Sequence, residues 1–352
     1  MKIIRLLFLL CLWSGQVLAA GPAKVATIDR ALWSEAIDSR EAFDRASAAE
    51  ILQFASMMNT VPLGSEEEIE TFTGLKQVNS ASVAQWREKT QRQLMQGYGN
   101  ATGQTGIDRW ETLLELADER LPTLNSQWLK ASAQFYQYYL FEQVRLAALF
   151  PRISSEILTY DQSELTGENY ADGEFLLTFD DGPHPTRTKQ LITQLTEKEI
   201  HATFFVLGHK LAEAKNKALY QNQCLGSHGW RHRAHKDLSW SKSSVEKTVQ
   251  ALAPFSSLNT QKGFRPPYGM RTAEISAWLH EQGHPVYLWN IDSQDWNGKM
   301  SAKQVSDRVT TLMLLWRKGI ILFHDIHPKA NIALPELDHL VNQTRLKWRS
   351  CI

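Results

Sequence analysis

Two aspartates stand side by side at positions 180 and 181, directly after the apolar run Leu176-Leu177-Thr178-Phe179 and directly before Gly182-Pro183. A strand ending in two carboxylates invites repulsion unless a cation sits beside them, and a turn at Asp181-Gly182-Pro183 explains only the second of the pair. His228 and His232 follow the run Leu225-Gly226-Ser227 and stand four positions apart, which lets both rings face one metal ion if the backbone between them is helical or turn-like. Hydrolytic metals commonly take two histidines and one carboxylate and leave a position for water, so Asp181 is the candidate third ligand. Asp180 is then free to act as a base, held ionised by a cation such as Arg265. Asp292 and Asp295 follow the run through Trp289, and His324-Asp325 follow Ile320-Ile321-Leu322-Phe323. His324 can donate a proton near neutral pH, with Asp295 as its orienting partner.

All of these groups come just after short β-rich runs. Strands are expected at 175–179, 202–207, 224–227, 263–264, 286–291 and 319–323, with amphipathic helices between them near 188–198, 243–252, 272–282 and 301–316. Such alternation predicts parallel strands in an α/β barrel, whose active site lies at the carboxyl ends of the strands, so five separate segments converge on one mouth. Upstream, residues 20–170 read as a separate all-α region without a catalytic motif. Ser65 with Glu68 forms a capping box there, helices are expected over 82–94 and 126–150, and the second stops before Pro151. Its aromatic stripes read as core. The polar stretch 161–174 reads as the linker, which puts the barrel domain at 171–352.

Composition fits this division. With 352 residues, 43% hydrophobic and 22% charged, the chain is an ordinary globular sequence long enough for two domains. Lys plus Arg equals Asp plus Glu at 38 each, which excludes the strongly basic class of nucleic-acid binders. The neutrality hides an asymmetry: residues 1–174 carry 15 basic and 23 acidic side chains, a balance of −8, and residues 175–352 carry the reverse. All 11 histidines fall in the second half, where metal and acid–base chemistry therefore belongs. Residues 1–19 read as an export signal, with Lys2 and Arg5 before the apolar stretch Leu6 to Leu12 and a small-residue cleavage site at Val17-Leu18-Ala19. That stretch is too short to span a bilayer, so the expected mature chain has no transmembrane segment and is periplasmic or extracellular. Cys11 lies inside the signal; Cys224 and Cys351 remain, and an oxidising compartment permits them to pair.

The ordered set Thr178-Phe179-Asp180-Asp181-Gly182-Pro183, His228-x-x-x-His232, Arg265-Pro266-Pro267-Tyr268-Gly269, Asp292-x-x-Asp295-Trp296 and Ile321-Leu322-Phe323-His324-Asp325 resembles the five motifs of the NodB-type polysaccharide deacetylases, the family 4 carbohydrate esterases. The resemblance covers 175 to about 345. It implies a deformed (β/α) barrel that removes acetyl groups from a polysaccharide with one divalent metal ion, zinc first, with cobalt, nickel or iron also admitted by two nitrogens and one oxygen. It further implies that Asp181, His228 and His232 bind the metal and that Asp180, held by Arg265, is the general base. The backbone N–H of Tyr268 would stabilise the oxyanion, His324 oriented by Asp295 would protonate the leaving amine, and Trp296 and Leu322 would line the acetyl pocket. Two positions depart from the family: Gly229 replaces the usual Ser or Thr, and Arg233 the usual Pro. His184, His209, His235 and His327 are read as rim or structural residues. The expected substrate is an N-acetylated glycan such as peptidoglycan, a chitin-like polymer or poly-N-acetylglucosamine. The same scaffold also serves an O-acetyl esterase acting on a polysaccharide such as xylan, or a glycan-binding module whose site has decayed. Decay removes a ligand or the base, and here every motif position is filled.

Overall fold

The fold is a computed structural model that describes residues 25–351; the export signal expected at 1–19 lies outside the described residues. The first part is helical as expected: α1 (Arg40–Thr60), α2 (Glu66–Thr73), α3 (Ser80–Thr102), α4 (Trp110–Arg120) and α5 (Ser126–Leu149). Ser65 and Glu68 close the capping box on α2, and α5 ends before Pro151, which cannot continue it. α1 is the hub of this bundle. It packs against α3, α4 and α5, and its apolar residues Phe43, Ile51, Leu52 and Phe54 are fully buried.

The second part forms one all-parallel sheet among the described residues, in the order β1 (Glu164–Leu165), β6 (Val286–Tyr287), β5 (Asn259–Phe264), β4 (Cys224–Ser227), β3 (Thr203–Val206), β2 (Glu174–Asp180), β8 (Gly319–His324) and β7 (Ile291–Asp292), with β9 (Lys347–Trp348) beside the start of β2. The central strand is β2 (Glu174–Asp180), and its unbroken apolar run reflects burial on both faces. Residues Phe175, Leu177 and Phe179 face the helices, while Leu176 joins Ile320, Leu322 and Trp289 in a second cluster inside the barrel. β3 (Thr203–Val206) flanks β2 on one side and β8 (Gly319–His324) on the other; beyond β3 lie β4 (Cys224–Ser227) and β5 (Asn259–Phe264). The register sets Asp180 opposite both Phe205 and His324, so the ends of these strands lie level at one mouth. Helices α6 (Arg187–Glu197), α7 (Gly208–Glu213), α8 (Leu238–Leu252), α9 (Ala273–Glu281), α10 (Ala302–Trp316) and α11 (Pro328–Gln343) supply the crossovers.

Two expectations are corrected. The stretch 161–174 is not a bare linker: it contains β1 (Glu164–Leu165), an edge strand paired with β6 (Val286–Tyr287). The buried carboxylate of Glu164 anchors it by accepting hydrogen bonds from Arg271 Nε at 2.6 Å and Ser276 Oγ at 2.5 Å. The run 286–291 is not one strand. It yields β6 beside β5 and β7 (Ile291–Asp292) beside β8, at opposite ends of the sheet. Between them Asn290 donates to Lys318 O at 3.0 Å and accepts from Ile320 N at 2.9 Å, pinning the chain where it crosses the seam.

The helical region lies against this barrel. Its core is continuous with the helix-facing side of the sheet, and α1 packs along α10. Polar locks reinforce the contact: Ser47 Oγ donates to Leu314 O at 2.7 Å, and Trp316 Nε1 donates to Tyr139 OH at 3.0 Å. The opposite charges of the halves meet in specific pairs. Arg308 on α10 reaches Glu142 of α5 at 2.7 Å, and Arg317 reaches Asp44 and Asp172 at 2.7 Å each. Cys224 and Cys351 form a disulfide that ties β4 to the chain end.

Candidate active site

Asp180 closes β2 with its side chain inside the barrel, only 2% exposed. Arg265 lies beside it, fully buried, and donates from Nη1 to Asp180 Oδ1 at 2.9 Å and to Thr178 Oγ1 at 2.7 Å. Its Nε and Nη2 donate to Tyr287 O and Leu288 O, and its Cζ lies 4.3 Å from the Phe205 ring centre, so the guanidinium is held from several sides. Burial pushes the Asp180 carboxyl above its ordinary range, with the charge of Arg265 opposing that rise. A raised carboxylate is a stronger base than a free one.

Asp181 turns the other way because its backbone is left-handed, with φ 76°, a conformation aspartate tolerates better than most residues. Its Oδ1 is buried, accepts no hydrogen bond, and lies 3.5 Å from both His228 Nε2 and His232 Nε2. The two histidines sit in a loop after β4, not on a helix. The Nδ1 of His228 lies 2.7 Å from Arg265 O and donates to it, which leaves the Nε2 lone pair pointing at Asp181. Burial lowers the pKa of both rings, that of His228 far below the usual value, so both are neutral donors near pH 7. The donor atoms of Asp181, His228 and His232 all lie within 4.8 Å of one another. An unpartnered buried carboxylate oxygen facing two neutral imidazoles fits a divalent cation.

On the neighbouring strand His324 ends β8. Its Nδ1 lies 2.7 Å from Asp295 Oδ1, and its backbone N–H donates to Asp295 Oδ2 at 2.9 Å, so one fully buried carboxylate holds both ring and backbone. Burial disfavours the charged ring, but Asp295, joined by Asp181 and Asp180, outweighs it and raises the His324 pKa to about 10. Asp180, Asp181, His228, His232, Tyr268, Trp296, Leu322 and His324 line one cavity of about 360 Å³. Arg265 and Asp295 stand behind it as supports. Tyr268, in a short turn with φ 61°, is 57% exposed and packs edge-on against the His232 ring at 4.3 Å.

The family model for polysaccharide deacetylases matches residues 167–287. A chitooligosaccharide deacetylase of Rhizobium leguminosarum bv. phaseoli is 32% identical over 185 residues, covering 50% of this chain and 78% of the relative. The chain belongs to the polysaccharide deacetylase family. A peptidoglycan-N-acetylmuramic acid deacetylase of Bacillus subtilis, PdaC, is 32% identical over 166 residues, 46% of this chain and 34% of that protein. The chain thus spans about a third of the length of PdaC and of the Listeria monocytogenes peptidoglycan deacetylases it also matches. Among solved structures, a family 4 carbohydrate esterase from Streptomyces lividans, in complex with acetate, is 28% identical, with 49% of this chain and 88% of that one covered and a TM-score of 0.41.

The histidine loop is braced by its buried neighbours. Gly229 has φ 79°, and a Cβ there would lie 2.7 Å from His235 Cε1 and 3.0 Å from Ser244 Oγ. The departure from Ser or Thr therefore makes room for His235, which is fully buried with its pKa lowered to about 4 by that burial. Ser244 Oγ braces the loop by accepting from Trp230 N at 2.8 Å, and Arg233 lies over the Trp240 ring at 4.5 Å. His209 Nδ1 lies 2.7 Å from Trp230 O, and His184 Nδ1 accepts from Arg187 N at 3.2 Å at the start of α6. His327 occupies the position before α11 without a side-chain hydrogen bond to the helix, its ring 5.8 Å from that of His324. The sequence reading missed the cavity residues of the helical region, among them Trp86 and Gln93 on α3 and Gln143 on α5, together with Glu156 and Gln294. Nothing but three-dimensional proximity distinguishes Gln93 or Gln143 from solvated helix positions.

Proposed function

We propose that this protein is a metal-dependent hydrolase that removes N-acetyl groups from an envelope or extracellular polysaccharide, with peptidoglycan, a chitin-like polymer or poly-N-acetylglucosamine as the substrate class. The observation that carries the reading is the meeting, in one cavity, of a three-donor cation site, a buried carboxylate on β2 and a histidine held protonated on the adjacent strand. Asp181, His228 and His232 hold the cation, zinc by preference for two imidazoles and a carboxylate. When bound, it polarises the acetyl carbonyl and makes water easier to deprotonate. Asp180 Oδ2, the oxygen not held by Arg265, takes a proton from the water that attacks the carbonyl carbon. The backbone N–H of Tyr268 faces the negative charge that develops on the carbonyl oxygen. His324 gives its Nε2 proton to the amide nitrogen as the carbon–nitrogen bond breaks, releasing acetate and the sugar amine. Asp295 keeps the ring charged until that step. Trp296 and Leu322 bound the space for the acetyl methyl group.

An amide nitrogen leaves poorly unless protonated, so a charged imidazole held by Asp295 at the cavity supports an N-acetyl substrate. The named activities of the chitooligosaccharide and peptidoglycan deacetylases among the relatives support the same choice. Export is supported by the Cys224–Cys351 disulfide, since such bonds persist in oxidising compartments, and no described helix is long and apolar enough to cross a membrane. The test is acetate release by zinc-loaded protein from N-acetylated glycans and from acetylated xylan. Release from the former that stops on chelation is expected. Release from xylan alone would overturn the amide assignment, and full activity in a demetallated sample would overturn the metal role.

A further inference from the structure

The catalytic cavity does not end where an acetyl group would. It runs on from Asp180 and His324 past Trp289 to the inner faces of α3 and α5, and its volume of about 360 Å³ lies within the range of small-molecule sites, roughly 300–1,000 Å³. That is far more than an acetyl group fills. We propose that the helical region forms part of the substrate site, with α3 and α5 walling a subsite for a second sugar ring of the glycan, next to the sugar that loses its acetyl group. This inference rests on the deacetylase reading above and adds to it a role for the part of the chain that carries no family motif.

The lining has the chemistry of a sugar site. Trp289 is 7% exposed and its Nε1–H donates to nothing, and Gln294 is 4% exposed with an Oε1 that accepts nothing. Both side chains line the cavity. A buried donor and a buried acceptor without partners, on two residues that line one cavity, suit a group that both donates and accepts, which is what a sugar hydroxyl does. From the opposite wall Gln93 and Gln143 present half-buried side-chain amides with no hydrogen-bond partner among the described residues. Trp86 and Trp316 add flat apolar faces of the kind that pack on a pyranose ring. A longer acyl chain would fill the same volume but strand all four polar groups, at a cost for each. The wall is also preformed. Glu142 and Arg308, paired at 2.7 Å, and the Trp316–Tyr139 hydrogen bond fix α5 against α10 at the cavity's edge, so a ligand does not have to order it.

The test measures binding apart from turnover. In an Asp180→Asn, zinc-loaded background, the affinity for N-acetylglucosamine and for its tetramer is measured by calorimetry, with and without the pair Gln93→Ala and Gln143→Ala. Alanine keeps both helices, and a melting curve checks that it has done so. The tetramer should bind more tightly than the monomer, and the double variant should lose roughly tenfold to a hundredfold on the tetramer, as two lost hydrogen bonds imply. Trp289→Phe, which keeps the ring and removes the N–H, should lose a further several-fold. Equal affinity for monomer and tetramer, no tetramer binding, an unchanged affinity in the double variant, or affinity that grows with acyl length instead of sugar number would each overturn the proposal. The deacetylase reading fails on a different result, absence of acetate release from the wild type, so the two failures are distinguishable.

Discussion

Removing one charge from the Glu142–Arg308 pair tests how firmly the helical region is bound to the barrel. Both side chains are buried, Arg308 at 1% and Glu142 at 6% side-chain exposure, and Arg308 also donates to Asp292 O at 2.9 Å and Ala26 O at 2.9 Å. Glu142→Gln keeps the shape and an acceptor oxygen but removes the charge paired directly with the guanidinium. Breaking a buried pair from one side costs roughly 3–5 kcal/mol. Unfolding entropy is about 2.1 cal/mol/K per residue, hence roughly 0.7 kcal/mol/K for a chain of this length, so the midpoint should fall by about 4–7 °C if both parts melt together. Scanning calorimetry reads this directly. A single transition lowered by that amount is expected. A shift below about 1 °C, or a wild type already melting in two separate steps, would refute the claim that the pair clamps two halves of one cooperative unit.

Two further outcomes follow from the site. In the proposed reaction the acid form of His324 works with the ionised form of Asp180, so activity is lost on the alkaline side as pH rises through the His324 pKa; a cation at Asp181 opposes that charge and sets the measured alkaline limb below 10. Asp295→Asn removes the main opposing charge, so the limb of the kcat/KM profile should move to lower pH by more than one unit, and an unmoved limb would show that another group is the acid. Gly229→Ala combines a strained left-handed backbone with a Cβ pressed on the buried His235 ring, a cost of roughly 2–5 kcal/mol. The loop must shift and carry His228 and His232 with it, so thermal stability and bound zinc should fall together; unchanged zinc content and melting would show that the loop yields freely.

The candidate site was legible because its residues sit at strand ends. Asp180, His228 and His324 each follow a short apolar run, and parallel register then brings Asp180 level with His324 without further information. The supporting contacts were legible in kind, since Arg265 and Asp295 are charges that a buried carboxylate and a buried imidazole require. Other features left no local trace. β1 is two residues inside a polar stretch, held by the side chain of Glu164 and not by apolar pattern. The run 286–291 looks like one strand because burial on both sides of the break gives the same apolar sequence, and only Asn290 interrupts it. α11 carries Pro335 inside it and forms because Ala333, Leu334 and Leu337 are buried beneath α6 and α10. The helical wall of the cavity was invisible for a simpler reason: a glutamine facing a ligand and one facing water have the same spacing.

The central claim is a division of labour between two chemically identical neighbours, and the most direct test exchanges each for its amide. Zinc content and acetate release are measured side by side for Asp180→Asn and Asp181→Asn, with a chitin oligomer as substrate. Asp180→Asn should retain zinc, because its carboxylate is held by Arg265, and should lose on the order of 10² to 10⁴ in kcat through the missing base. Asp181→Asn should lose zinc first and activity with it. Zinc lost from Asp180→Asn and kept by a still active Asp181→Asn would reverse the roles, and full activity in both would place the reaction elsewhere.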